Sequence, residues 1–245
     1  MRGNILSIAS LGFILMIFQS CMLQTGTIRF ERKPNEMISS QKFKDYFKEH
    51  PHPSILLKVP HLADSIKDDF DNNPLYHSIE KELLNNGMVL KDRSIYEDMV
   101  YHSRAVDIKE LKNELGVDLI LEVIEIKRDI VYSSHTIYDQ YGYKRNFNDY
   151  SVVRYGASIT FKIIFLEDFE MVGSYTFNYT PCKQKNVKHD CHCSVGYKGI
   201  LNKMYPKINM CGDREDPQFN EIEIHLLNDF IAESIHEMLE DLKNN

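Results

Sequence analysis

The chain has 245 residues, a formal net charge of −7 at pH 7, 43% hydrophobic residues and 27% charged residues. This length and composition are typical of a globular protein with a core large enough to be stable alone. The acidic balance argues against nucleic acid and anionic lipid headgroups as the main partners, because both are bound by cationic surfaces.

The N-terminal segment has the layout of a bacterial lipoprotein signal. A short cationic start is followed by an apolar run from Ile5 to Phe18, too short for a settled membrane span, and Ser20 precedes Cys21. We therefore predict a signal peptide over residues 1–20 and acyl chains on Cys21. A plain secretory signal and an uncleaved anchor are the alternatives, and all three place the rest of the chain outside the cytoplasm.

The chain after Cys21 is predicted to begin with a flexible tether and to continue as one domain. Residues 21–40 are polar and contain Gly26 and Pro34, which indicates the tether. The domain covers residues 41–245. Apolar spacing and capping residues predict its first elements, namely a helix over 41–49, a strand over 54–60, a helix from Asn73-Pro74 to Asn86-Gly87, a strand over 88–93, helical segments over 94–100 and 107–115, and a central strand over 117–126.

The second half of the domain ends in a strand pair and a long helix. Apolar residues alternate with polar ones between Ala157 and Phe165, which predicts a half-buried antiparallel strand, and residues 171–179 return along it. The last helix is predicted over 219–243, with the buried stripe Leu227, Phe230, Ile231, Ser234, Ile235, Met238 and Leu242. This order predicts an α/β (α+β) fold with a single mixed β-sheet, helices packed on it and a disulfide-bearing loop.

The remaining cysteines all fall within residues 180–218: Cys182, Cys191, Cys193 and Cys211. An even number in an exported protein predicts disulfides, and Cys191 and Cys193 are too close in sequence to bond with each other without strain. Each should therefore pair with one of the other two. A zinc site is the alternative, because thiolates and imidazoles satisfy tetrahedral zinc. Its candidate ligands are Cys182, His189, Cys191, His192, Cys193 and Cys211.

Four stretches resemble the periplasmic domain shared by CsgG, LpoB and TolB-type lipoproteins. They are Ser54-Ile-Leu-Leu-Lys-Val-Pro60, Ile79-Glu-Lys-Glu-Leu-Leu-Asn-Asn-Gly87, Val89-Leu-Lys-Asp-Arg93 and Leu115-Gly-Val-Asp-Leu-Ile-Leu-Glu122. In that pattern a helix ends at a glycine, a strand ends in Asp-Arg, and a helix ends in leucine-glycine-x-aspartate before the central strand. Residues 165–174 also resemble the family's turn between its last two strands.

The resemblance implies a non-catalytic role. LpoB-like members bind and stimulate a cell-wall synthase, whereas CsgG-like members form an outer-membrane secretion pore through two insertions. The chain departs from the family at residues 129–155 and 180–218, which we predict to be insertions and which fall near those points, so a pore subunit is an alternative. However, residues 138–149 carry charges on both alternating faces, and a lipid-facing strand needs one apolar face.

The segment 129–155 is the predicted binding surface. It contains Tyr138, Tyr141, Tyr143 and Arg145, and tyrosine and arginine are the residues that interfaces favour. Rings that merely pack on the sheet are the alternative interpretation. We expect a protein partner in the envelope and leave a homo-oligomer open.

The sequence contains none of the common hydrolase, metalloprotease or phosphate-loop motifs, so we predict no catalytic residue and no cofactor. A zinc-dependent enzyme built on the His/Cys loop is the alternative from another functional class. The expected location is the bacterial envelope, with the lipid anchor in the outer membrane and the domain facing the periplasm.

Overall fold

The computed structural model describes residues 24–60, 66–94, 112, 116–147, 151–181, 191–200, 203–209 and 222–243. Its strands are β1 (Gln24–Phe30), β2 (Glu36–Ser39), β3 (Ser54–Lys58), β4 (Val89–Lys91), β5 (Leu119–Ser134), β6 (Thr136–Asp139), β7 (Lys144–Asn146), β8 (Val152–Phe165), β9 (Met171–Tyr179), β10 (Cys191–Ile200) and β11 (Lys203–Asn209). Its helices are α1 (Gln41–Glu49), α2 (Ile66–Asn85) and α3 (Ile224–Lys243).

The chain divides into two compact units. The first, here called the mixed-sheet unit, contains residues 33–130, 156–179 and 221–245. The second, here called the antiparallel unit, contains residues 1–32, 131–155 and 180–220. The two segments predicted to be insertions therefore fall almost entirely in the antiparallel unit, together with β1.

The mixed-sheet unit contains a six-stranded sheet in the order β2-β9-β8-β5-β3-β4. Strand β3 runs parallel to β4 and to β5, whereas β9 runs antiparallel to β2 and to β8. The predicted fold class is confirmed: the protein is α+β, with mixed sheet and a long C-terminal helix. The prediction of a single sheet is incomplete, because the antiparallel unit contains a second sheet.

The three helices of the described residues contribute to one hydrophobic core with the mixed sheet. The predicted stripe of α3 is buried in full, and Leu239 joins it. Helix α1 begins where the Ser40 side chain accepts a hydrogen bond of 3.2 Å from the backbone N–H of Phe43, and it buries Phe43 and Phe47. Apolar spacing on each helix thus determines which face meets the sheet.

A local hydrogen-bond network joins the starts of β3 and β5. The Asp118 carboxylate accepts from the Ser54 backbone N–H at 2.9 Å and from the Ser54 hydroxyl at 2.7 Å. The preceding Gly116 has φ +56°, a left-handed conformation that glycine adopts without strain. The leucine-glycine-x-aspartate stretch noted in the sequence therefore fixes the parallel pairing of these strands.

The antiparallel unit contains a five-stranded sheet in the order β11-β10-β1-β6-β7, in which every pairing is antiparallel. Strand β1 lies in the predicted tether, so the prediction of a flexible segment over residues 21–40 is wrong for residues 24–30, and for residues 36–39, which form β2. The reason is that Ile28 and Phe30 are buried on either side of an exposed Arg29. This alternation is typical of a half-buried strand.

Two other elements begin earlier than predicted. Helix α2 starts at Ile66 and contains Pro74 in its interior, where the hydroxyl of Ser78 donates a 3.1 Å hydrogen bond to the Pro74 carbonyl. Strand β8 starts at Val152 rather than Ala157. The helices predicted over 94–100 and 107–115 fall almost entirely outside the described residues, as do the signal peptide and Cys21.

Candidate functional site

The candidate site is a short hairpin in the antiparallel unit, here called the tyrosine hairpin and defined as residues 136–146. Strands β6 and β7 pair so that Tyr138 faces Lys144. At the turn, the Asp139 N–H donates to the Tyr143 carbonyl at 3.1 Å, and the Gly142 N–H donates to the Asp139 carbonyl at 2.9 Å. Gly142 has φ +82°, which a side chain would strain. These two backbone hydrogen bonds therefore close a defined turn.

The Asp139 carboxylate holds this turn from inside. One oxygen accepts hydrogen bonds of 3.0 Å from the backbone N–H groups of Tyr141 and Tyr143, and the other accepts a 3.0 Å hydrogen bond from the Arg145 Nε. The Asp139 side chain is only 5% exposed. A buried carboxylate with three donors orders its surroundings, because leaving any of its oxygens unpaired would be unfavourable.

Two tyrosines project from the ordered turn. Tyr141 is 75% exposed and Tyr143 is 68% exposed. Tyr138, by contrast, is half-buried and lies 4.0 Å from the Arg29 guanidinium, measured to the ring centroid. The structure thus brings all four predicted binding residues onto one hairpin, with Arg145 used to hold the turn and Tyr138 partly covered.

The base of the hairpin is part of the core of its unit. Ile137 is fully buried, and Gly26 and Thr27 of β1 pair with Asp139 and Tyr138. Tyr132 is buried as well, and its ring packs edge-on against Phe30 at 6.0 Å between centroids. The alternative interpretation of packed rings therefore holds for Tyr132, whereas the turn tyrosines are exposed.

The pKa of Asp139 reflects its surroundings. Burial raises the pKa of this carboxyl, but the hydrogen bonds from Arg145 and from the two tyrosine N–H groups lower it by more, so the pKa lies below its ordinary value of 3.8. A carboxylate with a depressed pKa contributes stability above its unfolded pKa, and that contribution is lost as the pH falls through the folded value.

We expect acid to release the turn. As the pH falls below the ordinary carboxyl pKa of 3.8, the backbone amide NMR shifts of Tyr141 and Tyr143 should move together in the wild type. In Asp139→Asn those shifts should be displaced already at neutral pH and should no longer titrate. The exposed Asp129→Asn is the control and should behave as wild type. An Asp139→Asn profile identical to wild type would contradict the role assigned to this carboxylate.

Shifted pKa values in the mixed-sheet unit belong to structural contacts. Burial raises the pKa of Tyr46 to about 12, and nearby Asp118 adds to the effect. Burial also raises the pKa of Tyr175, whose hydroxyl donates to the Asp241 carboxylate on α3 at 3.3 Å. Lys42 of α1 donates a hydrogen bond to the Asp168 carboxylate in the β8–β9 turn, and this hydrogen bond raises the pKa of Lys42. These groups join helices to the sheet.

A void of about 10 Å³ lies in the mixed-sheet core, lined only by apolar side chains such as Phe43, Leu121 and Met238, and it has room for at most about one water. Within the described ranges no group of three or more His, Cys, Asp and Glu residues could hold a metal, and no helix is both long and apolar enough to cross a membrane.

The predicted cysteine chemistry lies outside the described residues. Cys182, His189 and Cys211 are not described, and of Cys191, His192 and Cys193 only the backbone is described, as part of β10. The disulfides and the alternative zinc site therefore stay predictions.

Sequence reasoning missed two residues of the site. Asp139 could have been found, because an aspartate followed by Gln-Tyr-Gly is typical of a turn in which the side chain accepts from backbone N–H groups two residues on. Arg29 had no such signal, since its place over Tyr138 depends on the pairing of β1 with β6, which are more than a hundred positions apart in the chain.

Comparison with known proteins identifies neither a family nor a curated relative for this chain. No protein-family model matches the sequence, and the curated proteins contain no match. Among solved structures, a PelC dodecamer from Paraburkholderia phytofirmans in space group P6 shares 8% identity at a TM-score of 0.34, over 86% of this chain and 98% of that one. A dodecamer of a PelC point mutant from the same organism shares 7% identity at a TM-score of 0.30, over 91% and 100%. Similarity at this level carries no argument about function.

Proposed function

We propose that the protein is a membrane-anchored, non-catalytic lipoprotein of the bacterial envelope that acts as an accessory or assembly factor by binding a protein partner. The tyrosine hairpin is the binding element. The observation that carries the proposal is the presentation of Tyr141 and Tyr143, exposed to 75% and 68%, on a turn that the buried Asp139 carboxylate holds in place.

Such a turn suits protein recognition for a physical reason. Tyrosine presents a large ring with few rotatable bonds, so little side-chain entropy is lost when it is buried in an interface. The hydrogen bonds of Asp139 fix the backbone before binding, which further lowers the entropy lost on association. Aromatic anchors of this kind dominate interface energies.

The anchoring part of the proposal depends on the N-terminal pattern. The apolar run that ends at Ser20 before Cys21 supports lipidation of Cys21. The resemblance of residues 54–180 and the C-terminal helix to CsgG, LpoB and TolB-type lipoproteins supports a non-catalytic role. Together these features favour a domain held at a membrane while its hairpin engages an envelope protein.

Site-specific photo-crosslinking in the native envelope tests the proposal. A photoreactive phenylalanine derivative at Tyr141 should yield one discrete adduct, whereas the same group at Val131, which is 62% exposed in the same unit, should yield none. Cys21→Ala should move the full chain out of the membrane fraction and remove incorporated fatty acid. Equal adducts at both positions, or no adduct at either, would contradict binding through the hairpin, and unchanged fatty-acid labelling would contradict the anchor.

A further inference from the structure

One face of the antiparallel sheet carries a cationic and aromatic cluster next to the tyrosine turn. Thr27 of β1 pairs with Tyr138 of β6, and Tyr138 pairs with Lys144 of β7, so these side chains lie on the same face. Arg29 lies two residues beyond Thr27 on that face, with its guanidinium 4.0 Å from the Tyr138 ring centroid. We call Arg29, Tyr138 and Lys144 the cationic cluster.

The charges of this cluster are not neutralised within the part of the chain that the structure describes. Arg145 is on the same hairpin, but Asp139 pairs with it. Among the described residues neither Arg29 nor Lys144 has a carboxylate partner, and both are exposed. The chain as a whole is acidic, at −7, so two exposed cations without a carboxylate partner among the described residues are a local departure from its overall charge.

We infer that the cationic cluster binds carboxylate side chains of an acidic peptide segment in the protein partner. The inference rests on the proposed function, because it adds the charge of the partner to a site already assigned to protein binding. A guanidinium beside a ring keeps its outward donors for a carboxylate, and Lys144 supplies a second cation two strands away from Arg29, on β7. Opposite charge at the edge of an interface steers and orients a partner.

Because the protein carries a net negative charge, binding of an anionic peptide is a clear test of this inference. A net charge of −7 repels an anionic peptide at long range, so binding must come from a local cationic site. The probe is a fluorescently labelled octaglutamate peptide, added to the full chain at low salt, where exposed charges are screened least. Wild type should bind it, and binding should weaken steeply towards physiological salt.

The discriminating variant is Arg29→Gln/Lys144→Gln. It should weaken octaglutamate binding by about tenfold, because it removes both cations of the cationic cluster. The control Lys48→Gln/Lys81→Gln removes the same charge from exposed positions of the mixed-sheet unit and should bind as wild type. Arg29→Lys keeps the charge and should retain binding, so it covers the case in which the double variant fails to fold.

Several results would overturn the inference. The first is the absence of octaglutamate binding by wild type at low salt. The second is an equal loss of octaglutamate binding in the control variant. The third is a dependence on Arg29 and Lys144 seen only with phosphatidylglycerol vesicles, which would assign the cluster to a membrane. Tyr141→Ser/Tyr143→Ser separates this inference from the proposed function. It should lose affinity for the protein recovered in the Tyr141 adduct yet still bind octaglutamate, so each claim can fail without the other failing.

Discussion

Tyr141→Ser/Tyr143→Ser is expected to weaken partner affinity by about a hundredfold, because aromatic hot spots contribute about 2 kcal/mol or more each and do not add fully. The free protein should keep its thermal midpoint, since the two rings are 75% and 68% exposed and contribute little to the core. The measurement is titration of each variant with the protein recovered in the Tyr141 adduct, together with a thermal melt.

The matched control for that variant is Val131→Ser. It removes another exposed apolar side chain, 62% accessible, from the same unit. It should change neither affinity nor melting. An affinity loss shared by both variants would indicate a nonspecific surface effect, and a drop of several degrees in the double tyrosine variant would place the rings in the fold instead of the interface.

Gly26→Val is expected to destabilise the antiparallel unit by about 1–3 kcal/mol through overpacking. A Cβ at this position would lie 2.6 Å from the Ile137 Cγ1 and 2.8 Å from the Tyr138 carbonyl oxygen. The first neighbour belongs to a fully buried side chain and the second to the backbone of the hairpin itself. Since neither can move freely, β1 and β6 must separate, and the turn that they support should lose its geometry.

Denaturant unfolding with a probe in the antiparallel unit measures this effect. Thr27→Val is the control, because it adds no volume of consequence at the neighbouring position, where a side chain already exists. A Gly26→Val midpoint equal to wild type would show that the close approach of β1 to the hairpin is not tight. Loss of the Tyr141 adduct in Gly26→Val, but not in Thr27→Val, would follow from the same separation of strands.

Local patterns predicted the mixed-sheet unit well because its elements carry their own signals. Every residue of the predicted α3 stripe is buried, and α1 spans the predicted 41–49. The apolar run at 117–126 predicted a central strand, and β5 lies between β8 and β3. Periodicity over a helix, or a run of apolar residues over a strand, depends only on neighbouring residues.

The antiparallel unit was harder to predict because its sheet depends on distant pairings. Strand β1 joins β10 and β6, and nothing in the polar composition of residues 21–40 indicates either partner. The signal was confined to Ile28 and Phe30, two apolar residues in alternation. Loop-closing pairings of this kind are set by tertiary packing, which overrides local composition.

For the same reason, the sequence predicted the candidate site only in part. Composition alone drew attention to Tyr138, Tyr141, Tyr143 and Arg145, but it could not tell which rings are exposed. Tyr138 lies under Arg29, and Arg145 donates a hydrogen bond to Asp139. The side chains of Tyr138 and Arg145 therefore already make contacts within the protein. Only the hydrogen bonds show that Asp139 holds the turn from which the two exposed tyrosines project.

Hydroxyl-radical footprinting tests the central claim most directly, because it compares the same side chains in the native envelope and in the purified full chain. Met171, which is 59% exposed in the mixed-sheet unit, is the internal reference. If the tyrosine hairpin binds a partner, labelling of Tyr141 and Tyr143 should fall severalfold in the envelope relative to Met171. Equal labelling of both tyrosines in the envelope and in the purified protein would contradict the account.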